Sequence, residues 1–167
     1  MALTLIAFNI FPALLAFAGA KDLFFMRIPN WISIGLVCWF FVLAVIYGVE
    51  MTVLVNHLGA ALLVLLVAFF LFCFGWIGGG DAKLMSAISL WIGFNPLLLE
   101  YWLLSSVLGG ALTFAILLFR RASWFVPPWG WLERLHNKKN GVPYGIALAG
   151  AGLVLYSRTF MFDILAN

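Results

Sequence analysis

The sequence predicts an all-α, polytopic membrane protein of six transmembrane helices, with the N-terminus and C-terminus outside the cytoplasm. Three observations carry this expectation. Of 167 residues, 66% are hydrophobic and only 9% are charged, a balance foreign to water-soluble domains. The apolar residues come in runs close to the ~20 residues a helix needs to cross a bilayer. The runs are continuous rather than alternating, unlike the strands of a membrane barrel.

Each element follows from a run and its punctuation, within a single integral-membrane domain over residues 1–167. The first helix is predicted at about 2–20. Its end, "AFAGA", resembles a signal-peptide cleavage site, but the basic residues follow the apolar stretch instead of preceding it, so the segment is read as a retained helix. The second, about 31–49, is introduced by "RIPN", with Asn30 as its cap. The third is placed at about 54–76, the fourth at 81–93, the fifth at 97–119 and the sixth at 144–156. Residues 120–142 form the long polar loop, placed in the cytoplasm.

The fourth helix is short, since about 12 residues reach roughly 18 Å. Charge decides whether it crosses. With six crossings, Lys21, Arg27, Lys83, Arg120, Arg121, Arg134, Lys138 and Lys139 share one side and Arg158 alone faces the other. Without the fourth crossing the split is four against five. The excess of basic residues in cytoplasmic loops favours the first threading. The "GGGD" stretch then dips into the membrane or the bilayer thins beside it, and irregular backbone at that depth must be covered by protein or line a wet cavity.

This threading isolates two acids. Asp22 closes the first helix and Asp81 opens the fourth, on the same side and at the membrane boundary. Glu50 and Glu100 fall on the outer side, Glu133 in the long loop and Asp163 in the tail. If the first and fourth helices pack together, Asp22 and Asp81 meet. Two close carboxylates in a low dielectric do not both ionise, so one holds a proton while the other activates water. Gly78 and Gly80 leave room for a substrate backbone, and glycine permits the positive φ of a tight turn into a helix. The same residues also allow Asp81 as a simple helix cap, an Asp22–Arg27 ion pair, or a proton relay in a small transporter.

Three stretches resemble the type IV prepilin peptidase family of G-x-G-D aspartic membrane proteases. "IGGGDAKL" matches its G-x-G-D-x-K-L signature through Gly78, Gly80, Asp81 and Lys83. "KDLFFMRIPNWIS" looks like its first aspartate segment, through Asp22, Arg27, Ile28, Pro29 and Asn30. "GVPYGIALAGAG" resembles the opening of its final helix. The resemblance implies an aspartic endopeptidase with Asp22 and Asp81 as catalytic pair and no metal or other cofactor. Its substrate would be a prepilin, a hydrophobic helix behind a basic leader, cut at the cytoplasmic face of the bacterial inner membrane after a glycine just before that helix. Long members of the family carry a domain with two C-x-x-C pairs between the first two helices and also methylate the new N-terminus. Here about eight residues join those helices. That implies the short form of tight-adherence (Flp-type) pilus systems, without methyltransferase activity.

The remaining features are placed around this chemistry. Lys83 and Arg27 would hold the ionised pair, bind substrate backbone, or snorkel to lipid phosphate. Pro143 and Gly145 would set the entry of the last helix and let a neighbour come close. Glu133 is a candidate partner for a basic leader. Trp124, Trp129 and Trp131, among basic residues, suggest a membrane-surface anchor or a gate over the site. Cys38 and Cys73 read as buried small hydrophobes, neither paired nor metal-bound. His57 and His136 lie on opposite sides, no serine has a base beside it, and H-E-x-x-H is absent, so other protease classes are not favoured. Partners are expected to be the prepilin, membrane lipid and pilus-assembly proteins, with no nucleic acid. A small proton-coupled transporter or channel, or an inactive scaffold of pilus assembly, is the competing reading.

Overall fold

A computed structural model describes residues 2–121 and 129–166, with side chains from Ala7 onward. The chain is an all-α polytopic membrane protein: α1 (Ala2–Phe25), α2 (Asn30–Ile46), α3 (Met51–Cys73), α4 (Gly79–Ile92), α5 (Pro96–Arg121), α6 (Gly130–His136), α7 (Gly145–Leu155) and α8 (Phe160–Ala166). A 3-10 turn, Tyr156–Arg158, joins the last two. Among the described residues three spans, Ala7–Phe25, Met51–Cys73 and Pro96–Arg121, are long and apolar enough to cross a membrane, and Gly145–Arg158 with Phe160–Ala166, bent by 46°, is long and apolar enough only when the two are taken together, as a broken span or a re-entrant loop. Asn30–Ile46 is apolar but shorter.

Glycines set several boundaries differently from the expectation. α2 was expected to reach Val49 and α3 to reach Trp76. Gly48 and Gly75 instead adopt φ of 61° and 74° and stop both helices. In α2 the Gly48 N–H donates to the Val45 carbonyl and Val49 to Ala44; in α3 Gly75 donates to Phe72 and Trp76 to Leu71. Both are the paired bonds of a Schellman ending. α1 runs five residues past Ala20, to Phe25, so Asp22 lies inside its last turn. Met26, at φ 51°, then turns the chain toward α2. Asn30 is not the cap of α2: that position is Pro29, and Asn30 is the first helical residue. The segment 120–142 contains helix α6, and a further helix, α8, follows the expected end of the chain's last span.

α4 is the hub. It packs against α2, α3 and α7, with smaller contacts to α5 and α8. Eight of its 14 residues are buried, from Ala82 to Ile92. Trp91 is fully enclosed: its ring lies 4.4 Å from that of Phe11 and its indole N–H donates to the Leu36 carbonyl over 3.1 Å. The short length of α4 follows from this setting. A helix walled by protein does not have to match the thickness of the lipid.

The periphery is the reverse. Large apolar side chains such as Leu62, Phe69, Val107 and Phe114 stand exposed on α3 and α5. Cys38 and Cys73 are exposed here too, on the outer faces of α2 and α3, and are not the buried residues expected. In a bilayer, lipid tails solvate such a surface.

At one end of the bundle, Gly93 (φ 77°) ends α4 beneath Asn56 and His57 of α3. His57 Nδ1–H donates to the Leu90 carbonyl at 2.7 Å, and the Phe94 N–H donates to Asn56 Oδ1 at 2.8 Å. Glu100 and Arg158 form a two-pronged ion pair at the same end, which agrees with their assignment to one side.

Candidate active site

The opposite end gathers the α1 C-terminus and the N-termini of α4 and α7. α1 and α4 both pack on α2 and on α7, and touch each other through Phe11 and Trp91. The small residues of α7 permit the close approach: a side chain at Gly152 would fall 2.8 Å from Leu15 and 3.4 Å from Ile88. Asp22 and Asp81 therefore reach one place although 59 positions separate them (81 − 22). They line two adjoining cavities together, of about 510 and 710 Å³. The first also has Arg27, Ile28 and Asn30 in its wall, and the second Trp76, Thr113 and Tyr144.

Each carboxylate is held by a glycine N–H. Asp22 is almost fully buried, and its Oδ2 accepts from the Gly145 N–H at 2.7 Å. That donor is the first residue of α7, so the positive end of the helix faces the acid. Asp81 lies in the first turn of α4 and accepts from the N–H of Gly78, the cap residue. A side chain reaching back to the cap N–H is one half of a capping box.

The glycines make these bonds possible, in a way the sequence reading did not foresee. A Cβ on Gly145 would lie 2.5 Å from Ile28 Cδ1 and 2.8 Å from Asp22 Oδ2. One on Gly78 would lie 2.9 Å from Asp81 Oδ2, and one on Gly80 3.2 Å from Ile28 Cβ. The crowding they relieve is internal to the protein. Neither Gly78 (φ −75°) nor the helical Gly80 needs a left-handed backbone, and the positive-φ residue of this loop is Gly75.

Other expected site residues separate. Lys83 is two residues beyond Asp81, about 200° round the helix, and points elsewhere: its Nζ donates to Asn30 Oδ1 at 3.0 Å. Arg27 is exposed on the cavity rim, and among the described residues it forms no ion pair with Asp22. Pro143 is buried two residues before α7, its carbonyl accepting from the Ile146 N–H. Glu133 is exposed on α6. Trp131 meets Phe24 of α1 edge to face at 5.7 Å, and Arg134 donates to the Phe24 carbonyl. Trp124 lies outside the described residues. Among the described residues no three His, Cys, Asp or Glu side chains cluster as a metal site.

Two residues escaped the sequence reading. Tyr144, the cap residue of α7, donates its hydroxyl to the Ser105 carbonyl at 3.2 Å. Its ring occupies the space beside Gly109, where a Cβ would be 2.0 Å away. Arg120 is buried at the end of α5, donating to the Leu135 and Gly141 carbonyls at 2.6 and 2.8 Å. The signals were the "GG" pair in α5 and a basic residue closing an apolar run.

Compared with known proteins, residues 9–126 match the model of the type IV leader peptidase family. No curated protein matches the chain, and neither does any solved structure.

Proposed function

Because the chain belongs to the type IV leader peptidase family, we propose that it is an aspartic endopeptidase whose catalytic pair is Asp22 and Asp81. It removes the basic leader from type IV prepilins, of the Flp type, at the cytoplasmic face of a bacterial inner membrane. All six segments cross, with both termini outside the cytoplasm. What carries the reading is one observation: the two acids line the same cavities at one end of the bundle, each oriented by a glycine N–H.

The chemistry follows from the pair. One carboxylate takes a proton from a water molecule while that water's oxygen bonds to the scissile carbonyl carbon. The other, protonated, gives its proton to the carbonyl oxygen. When the tetrahedral intermediate collapses, the carbon–nitrogen bond breaks and a proton passes to the departing amine. One water is consumed, and an acid and an amine are formed. The Gly145 and Gly78 bonds fix both side chains before substrate arrives, which avoids reorganisation during the reaction.

The test is cleavage of a co-expressed Flp-type prepilin. Asp22→Asn and Asp81→Asn, each alone, should lower the rate by about 10²–10⁴-fold while the protein still accumulates in the membrane. Undiminished cleavage by either variant would overturn the reading. So would ion or solute transport in vesicles combined with an uncut prepilin.

A further inference from the structure

Lys83, part of the signature around Asp81, turns away from the acids and into a third cavity. This groove, of about 360 Å³, lies between α2 and α3 with α4 as its floor. α2 and α3 each pack on α4 but scarcely on each other, so the groove opens sideways toward lipid. Its walls are Ile34, Val37 and Leu65, and its floor is Ser86 and Ala87. The floor is small and internally satisfied, since the Ser86 hydroxyl already donates to the Ala61 carbonyl at 2.9 Å. Small floor residues let another helix approach closely within a membrane.

The groove shares one wall residue with the cavity of the acids. Asn30 lines both this groove and the cavity of Asp22 and Asp81. Lys83 lines the groove and is bonded to that shared Asn30, still holding two unused N–H donors. An extended peptide passing from the acids into the groove would present unpaired carbonyls there.

We propose that the groove between α2 and α3 is the seat of the substrate's apolar helix, entered sideways from the bilayer, with Lys83 binding the extended backbone between that helix and the scissile bond. The proposal rests on the reading of the chain as a leader peptidase. It names where the part of the substrate beyond the cut is held. A single lipid chain would fill the same walls, but Asn30, which lines both the groove and the acid cavity and is bonded to Lys83, favours the occupant that has a backbone to present there.

Two substrates and one cross-link test it. The membrane-embedded precursor is compared with a short peptide that spans the cut but lacks the apolar helix. Val37→Trp and Leu65→Trp, which fill the groove from opposite walls, should slow cleavage of the precursor about ten-fold more than cleavage of the peptide. Equal effects on both substrates would overturn the proposal. A photo-reactive amino acid replacing Ile34 in Asp81→Asn protein should cross-link to the apolar segment of the precursor, whereas one replacing Val107 on α5 should not. Cross-linking of Ile34 to phospholipid alone would overturn the proposal. Precursor cleavage by Asp81→Asn itself would instead sink the peptidase reading, so the two failures are distinct.

Discussion

Single atoms decide the geometry of the two acids. Gly145 donates the N–H that holds Asp22 and leaves the space that Asp22 and Ile28 fill. Gly145→Ala forces one of them aside, and overpacking of this kind costs about 1–3 kcal/mol. The expected outcome is a lower melting temperature in detergent together with about 10²-fold slower cleavage, because a misplacement of about 1 Å has that effect. Gly78→Ala should act on Asp81 in the same direction through its carboxylate. The two glycines of α5 give an internal comparison. Gly109→Ala would drive a methyl into the Tyr144 ring, whereas a Cβ on Gly110 meets nothing within 4 Å. Melting curves of the two variants should therefore diverge, with Gly109→Ala destabilised and Gly110→Ala within about 0.5 kcal/mol of the parent protein. That Asp22 and Asp81 could meet was legible in the sequence, because rare charges in an apolar chain stand out. The reason for the glycines was not, since a collision between Gly145 and Ile28 is a property of packed helices.

At the level of elements, the apolar runs were readable and their ends were not. The runs that became α2 and α3 continue past Gly48 and Gly75, and only the left-handed φ at those residues marks the stop. The brevity of α4 was visible, but not its cause, which is enclosure by neighbours from several parts of the chain. α6 was missed because seven residues with a tryptophan and two charges, "GWLERLH", show no long period. Besides its contacts with Phe24 of α1, it is tied to the bundle by Arg120, whose buried guanidinium reaches the Leu135 and Gly141 carbonyls on either side of the turn leading to α7. Arg120→Ala removes both bonds and should cost about 1.5–3 kcal/mol. Arg120→Lys keeps the charge but not the fork and should recover only part of that. Both are read by thermal unfolding, with accessibility of a cysteine placed at Gly141 as the local probe.

Across the whole molecule, polarity is segregated. Glu100 and Arg158 pair at one end, and the acids, Lys83 and Arg120 gather at the other. Charge counting alone anticipated this division, because loops carry their address in lysine and arginine. In a background without Cys38 and Cys73, a membrane-impermeant thiol reagent applied to spheroplasts should label a cysteine at Thr52 and spare one at Lys138, which reacts only after permeabilisation. Labelling of Lys138 from outside would reverse the proposed threading. The bond from Gly145 to Asp22 spans 123 positions of sequence. A ribosome must therefore have made α7 before the first acid gains its partner, so nascent chains halted ahead of α7 would insert their early helices while lacking the bond that holds Asp22.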